Sequence, residues 1–119
     1  MNSRLIIAAQ KAACLSHMPD FRMGAALKVG KTIFSACNSF KTSASMKTPY
    51  HTYHAEMAVC FKALHFVSSL RNAELVIVRI DKRNNLKMAK PCGACSSFIA
   101  VHNINKIFFS NSAGLFERF

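Results

Sequence analysis

The chain has 119 residues, 51% of them hydrophobic, and sets 16 Lys and Arg against 5 Asp and Glu, a formal charge of +11. That length fits one small domain, residues 1–119, and that apolar fraction is ample for one core. No run approaches the ~20 apolar residues of a transmembrane helix, and the apolar stretch after Met1-Asn2-Ser3-Arg4 carries Gln10 and Lys11 and lacks a clear cleavage site, which speaks against a signal peptide.

Residues 3–17 read as an amphipathic helix. Leu5, Ile6, Ala9, Ala12, Ala13 and Leu15 recur near helical spacing, Ser3 caps the start and Pro19 ends it. Residues 22–29 and 32–38 form two apolar runs around Gly30-Lys31, the pattern of two strands joined by a tight hairpin. Residues 39–53 are rich in Ser, Thr and Lys and include Pro49. A loop of that length in so small a domain is usually functional or disordered. Residues 54–70 read as a helix burying Ala55, Ala58, Val59, Ala63, Leu64 and Val67. Residues 75–80 make a nearly continuous apolar strand, as in a sheet covered on both faces. Residues 81–89 are a polar turn with strand character at its end, 93–101 a third helix and 104–110 a strand. A turn at Ser112-Ala113-Gly114 leads to a short final strand or tail at 115–119. There is no internal repeat, linker or low-complexity tract. The alternation of strands with helices predicts parallel pairing in the later sheet, with a site at the strand ends.

Two segments carry chemistry: His54-Ala55-Glu56 and, much later, Pro91-Cys92-Gly93-Ala94-Cys95. Each begins a predicted helix. Cys92 and Cys95 are three residues apart and share a helix face, so their sulfurs converge, and a helix N-terminus favours the thiolate form that binds metal. Pro91 suits the entry to such a helix. His54, Cys92 and Cys95 fill three positions of a tetrahedral zinc site and leave the fourth open for water, as catalysis requires. Zinc lowers the pKa of that water towards ~7, and Glu56, two residues from His54, is close enough to exchange protons with it. A closed structural site is the blander reading, with a fourth ligand from His51, Cys60 or Cys37. A redox Cys-x-x-Cys leaves His54 and Glu56 without a purpose. Cys14, Cys37 and Cys60 read as small core residues, with Cys37 near the pocket. His65 and His102 read as surface or structural. Of the histidines outside the motif, His51, in the loop just before His54, is the candidate for touching substrate.

The positive charge favours anionic partners such as a nucleotide phosphate, RNA or DNA, although the basic residues are scattered without a dense run. Five cysteines, an odd number with two in a metal motif, suit a reducing, cytoplasmic compartment. The phenylalanines at 108, 109, 116 and 119 read as core or subunit contact.

With these segments in hand, the chain resembles the zinc-dependent cytidine and deoxycytidylate deaminase superfamily over nearly all its length. Pro19-Asp20-Phe21, Met23-Gly24, Ala25-Ala26-Leu27 and Pro91-Cys92-Gly93-Ala94-Cys95 are similar to cytidine deaminases. His54 in place of a cysteine, and Asn38-Ser39-Phe40-Lys41-Thr42, look more like small phage-type and deoxycytidylate-type members. The resemblance implies a three-layer α/β/α fold with a central mixed sheet of about five strands, zinc as cofactor, and a homo-oligomer, tetramer or dimer. It implies hydrolytic deamination of cytosine to uracil in a free nucleoside or nucleotide, with Glu56 as the proton shuttle. It also implies that Phe21 lines the base pocket, Asn38 contacts the sugar and Ala55 presents backbone to the pyrimidine. In nucleoside-specific relatives a glutamate follows the sugar-binding asparagine by two residues. Here Phe40 stands there and cannot accept from a sugar hydroxyl, whereas Lys41 next door can meet a phosphate. Two rival readings remain: a deaminase acting on cytosine or adenine in single-stranded DNA or RNA, and a non-catalytic zinc- or nucleic-acid-binding module on the same fold.

Overall fold

The computed structural model describes residues 3–19, 21–40 and 52–119. In chain order these form α1 (Ser3–Cys14), β1 (Arg22–Val29), β2 (Thr32–Cys37), β3 (Ser39–Phe40), β4 (Thr52–Tyr53), α2 (Ala55–Leu64), β5 (Glu74–Ile80), β6 (Leu86–Lys87), α3 (Gly93–Val101), β7 (Lys106–Ser110) and β8 (Phe116–Arg118). The main sheet runs β2-β1-β5-β7-β8, and β6 pairs with the end of β5. β1 is antiparallel to β2 and to β5, β5 is parallel to β7, and β7 is antiparallel to β8. This is the mixed sheet expected, with six strands.

Side-chain alternation sorts the sheet into two faces. Ala25, Leu27, Leu75 and Ile77 join Ala55, Val59, Cys60, Ala63 and Ile99 in the core beneath α2 and α3. Ala26, Val76, Val78 and Ile80 join Leu5, Ala9 and Ala13 in the core beneath α1. The nearly unbroken apolar run of β5 follows from this: it is covered on both sides. α1 lies very close on β1 because both are built from small residues. A Cβ on Gly24 would stand 2.1 Å from the Ala9 carbonyl oxygen and 2.3 Å from the Ala13 nitrogen, so only glycine fits. Gly30 takes φ of 60° in the two-residue turn between Val29 and Thr32. That positive φ at the first central position is the demand of a type II′ hairpin, and glycine meets it without strain.

Both α1 and α2 end earlier than the apolar spacing predicts. α1 stops at Cys14, and the Leu15 and Ser16 N–H groups bond back to the Ala12 and Ala13 carbonyls. Leu15 is 70% exposed and Ser16 turns inward. α2 stops at Leu64, and the chain tightens through Phe66 N–H and Val67 N–H to the Ala63 carbonyl. Ser69 Oγ then accepts from the Arg71 N–H and Asn72 adopts φ of 63°, local bonding that competes with a helix. Leu70 is buried all the same, delivered by a turn. The expected 39–53 loop contains a short ladder, Ser39 opposite Tyr53 and Phe40 opposite Thr52. Cys60 is buried and Cys37 half-buried, but Cys14, expected in the core, is exposed where α1 ends. Among the described residues, no helix is long and apolar enough to cross a membrane.

Candidate metal centre and active-site cavity

The N-termini of α2 and α3 meet. His54 is the N-cap of α2, with extended backbone (φ −69°, ψ 145°) and no side-chain capping bond. Its ring faces two sulfurs: Nδ1 stands 3.4 Å from Cys95 Sγ and 3.7 Å from Cys92 Sγ. Cys92 is the N-cap of α3, and its sulfur accepts from the Cys95 N–H at 3.5 Å. The three donor atoms lie within 4.8 Å of one another. Bonds of ~2.0–2.3 Å to a tetrahedral ion set its ligands about 3.5 Å apart, which is the spacing of the two nitrogen–sulfur pairs. Among the described residues neither Cys37 nor Cys60 joins this group. Burial, and secondarily the charge of Glu56, push the Cys60 thiol up to about 12, so it stays protonated. His51, the remaining candidate for a fourth ligand, lies outside the described residues, as does Lys41.

Glu56 is the second residue of α2 and is 2% exposed. Its Oε1 lies 4.0 Å from His54 Nδ1 and has no hydrogen-bond partner among the described residues. Burial holds its carboxyl well above the usual carboxylate range, opposed by its own backbone N–H and by Cys95. Burial and the Glu56 charge likewise push the Cys95 thiol up. A buried carboxylate beside two thiols is costly to ionise unless a cation compensates it. One nitrogen, two sulfurs and an unpartnered carboxylate oxygen therefore fit zinc, with a position left for a small molecule.

That position opens into a cavity of about 350 Å³, which brings His54, Glu56 and Cys92 together with Phe21, Met23 and Asn38, and with Met18, Met88, Ala89 and Lys90. Apolar walls with a few convergent polar groups are the make-up of a small-molecule site. Asn38 is buried just beyond β2. Its Oδ1 accepts from Ser16 Oγ at 2.6 Å and from the Met23 N–H at 2.9 Å, and its Nδ2 donates to the Phe21 carbonyl at 2.5 Å. Among the described residues its second amide hydrogen has no acceptor. Phe21 is 44% exposed, and the Arg79 guanidinium carbon stands 3.7 Å from its ring centroid. Ala55 is buried as the first residue of α2 and is not among the cavity-lining residues.

The sequence matches the cytidine and deoxycytidylate deaminase zinc-binding region over residues 1–111. The chain belongs to this family. Its fold is shared with the cytidine deaminase from Burkholderia pseudomallei at 22% identity, with a TM-score of 0.76 over 100% of this chain and 91% of that one. The cytidine deaminase from Mycobacterium leprae aligns with a TM-score of 0.63 at 21% identity, over 98% and 91%. The dCMP deaminase from the cyanophage S-TIM5, in complex with dCMP and dUMP, aligns with a TM-score of 0.59 at 20% identity, over 92% and 82%. No curated protein matches by sequence.

As a deaminase-family domain, the chain takes zinc as its cofactor, and His54, Cys92 and Cys95 are the group placed for it. The cavity also holds residues that the motif does not reveal. Ala89 and Lys90 stand directly before Pro91-Cys92, and proximity to the ligands is a signal that could have found them. Met18 and Met23 flank Phe21 closely in sequence. Met88 carries no comparable signal.

Proposed function

We propose that the chain catalyses hydrolytic deamination of cytosine to uracil in a free pyrimidine nucleoside or nucleotide, with release of ammonia. The observation that carries this reading is Glu56: a buried carboxyl with Oε1 unpartnered among the described residues, beside the metal ligands and lining the cavity. Bound at His54, Cys92 and Cys95, zinc supplies a Lewis acid that makes water a competent nucleophile near neutral pH. Glu56 Oε1 would take one proton from the attacking water and give it to the ring nitrogen, then take the second from the new hydroxyl at the attacked carbon and pass it to the departing amine. The pKa of Glu56, raised by burial, suits a group that must both accept and return a proton. Phe21 lines the base site, Asn38 donates its remaining amide hydrogen to the sugar, and Ala55 offers backbone at the start of α2. Lys41 and His51 belong to the segment that leads from Asn38 to His54 and complete the substrate contacts in this reading. All five cysteines are free thiols, which suits a reducing, cytoplasmic setting. The cyanophage relative, which acts on dCMP, supports a nucleotide as well as a nucleoside substrate.

Glu56→Gln keeps the shape and removes the shuttle. It should retain zinc and lose ~10²–10⁴-fold in turnover, measured as ultraviolet loss or ammonia release from cytidine, deoxycytidine, their monophosphates, adenosine and single-stranded oligonucleotides. Near wild-type turnover by this variant removes Glu56 from the mechanism. The formal charge of +11 favours one second reading, deamination within single-stranded nucleic acid, and turnover confined to the oligonucleotides selects it.

A further inference from the structure

Among the described residues, two buried side-chain polar atoms have no hydrogen-bond partner: Glu56 Oε1 and Arg79 Nε. Buried polar groups are nearly always satisfied, so each calls for a partner that the described residues do not supply. Glu56 Oε1 belongs to the reaction above; Arg79 Nε does not. Arg79 is near the end of β5, directly opposite Met23 of β1, and Met23 lines the cavity. Alternation along β5 puts Arg79 on the face of Leu75 and Ile77, the one covered by α2 and α3. Its guanidinium is held against the ring of Phe21, which also lines the cavity. Among the described residues no ion pair engages it. Lys90, exposed, lines the same cavity. Against these cations the described lining residues include a single carboxylate, Glu56.

We propose that Arg79 and Lys90 form an anion subsite beside the cavity, which takes the phosphate of a pyrimidine nucleoside monophosphate. This rests on the deaminase reading and narrows its substrate. Guanidinium offers a rigid fork of donors matched to phosphate oxygens, and the lysine ammonium adds a point charge. An orphaned Arg79 N–H gains an acceptor when a phosphate arrives. The cavity, about 350 Å³, is at the small end of ligand sites, and among the described residues Phe21 is the one aromatic that lines it, short of the successive stacking platforms of a strand-binding groove.

The test is calorimetric binding of deoxycytidine and deoxycytidine monophosphate to zinc-loaded Glu56→Gln protein, alone and combined with Arg79→Gln, Arg79→Lys or Lys90→Gln. Turnover of both compounds by the corresponding single variants is measured alongside. The monophosphate should bind at least about tenfold more tightly than the nucleoside, the scale of one charge-assisted hydrogen bond. Arg79→Gln and Lys90→Gln should each cut that ratio several-fold, and Arg79→Lys should restore part of it. Added salt should lower the ratio as well. Lys90 is exposed, so its variant reads the subsite even if Arg79→Gln fails to fold. A ratio near one, or unchanged in Lys90→Gln, overturns the subsite. So does an oligonucleotide that displaces the monophosphate with a salt slope of several phosphates. Equal turnover of both compounds sinks the subsite and leaves the deaminase reading standing. Absent turnover with an Arg79-dependent preference for the monophosphate does the reverse.

Discussion

At the scale of single residues, Asn38 has most of its amide already engaged. Ser16 Oγ and the Met23 N–H saturate its oxygen, and the Phe21 carbonyl takes one of its hydrogens. Ser16 also accepts from the Met18 N–H at 3.3 Å, so one buried hydroxyl ties the end of the first helix to the residue proposed to meet the sugar. Ser16→Ala should raise KM several-fold while leaving kcat nearly unchanged, because it loosens binding and touches no reacting atom. The loss of one hydrogen bond is on the order of 1 kcal/mol. Ser16→Thr, which keeps the hydroxyl, should recover much of the affinity. A fall in kcat at constant KM would reject the positioning role. The candidate metal group of His54, Cys92 and Cys95, and Glu56 beside it, were legible in the sequence because few residue types do this chemistry and the spacing within each half of the motif is short. Ser16 and Arg79 were not, since a serine after an apolar helix and an arginine inside an apolar strand look like ordinary surface positions.

At the scale of elements, the centre depends on two helix starts brought side by side. Neither α2 nor α3 is long, at 10 and 9 residues, and helices so short draw their stability from tertiary contacts. His54 on one and Cys92 and Cys95 on the other are the group placed to hold zinc, which would join the two helices. Its removal leaves the buried carboxyl and the two thiols without a compensating cation, and metal binding is then coupled to folding. Chelation of the zinc protein should therefore lower Tm by at least about 10 °C, on the order of 2–3 kcal/mol for a chain of this size. Restoring zinc should reverse the shift. Cys95→Ala should fall below one zinc per chain by metal analysis. Full zinc content in Cys95→Ala, or an unchanged Tm after chelation, would contradict the assignment of this cluster as the metal centre.

At the scale of the whole molecule, large apolar side chains remain outside the two cores. Ile107 and Phe109, in the segment expected to seek a partner, are buried within the chain, while Leu115 and Phe119 stay exposed. A second group lies on and just past α2 and α3, where Phe66 is 74% and Val101 76% exposed. Phe61 and Phe98 pack edge to face nearby, with ring centroids 5.1 Å apart. Contiguous apolar surface usually marks an interface. The chain should therefore run as a homo-oligomer, with a tetramer ahead of a dimer. Light scattering at micromolar concentration checks this, and a monomer there would remove the interface reading.

The sequence alone determined what depends on residue type and short spacing. The candidate metal group with Glu56 beside it, the tight hairpin at Gly30-Lys31, and the two-sided burial of β5 follow from local chemistry and periodicity. The ends of the helices were decided by tertiary structure, because Ser16 and Leu70 are buried by turns that helical spacing cannot distinguish from further helix. The cavity was decided there too. Met23 and Arg79 are 56 positions apart in the chain and adjacent only through the register of β1 with β5. Met18, Met88 and Lys90 share a wall only because the ends of several strands meet beside the starts of α2 and α3. Such meetings depend on long-range pairing, and no local pattern in the chain encodes them.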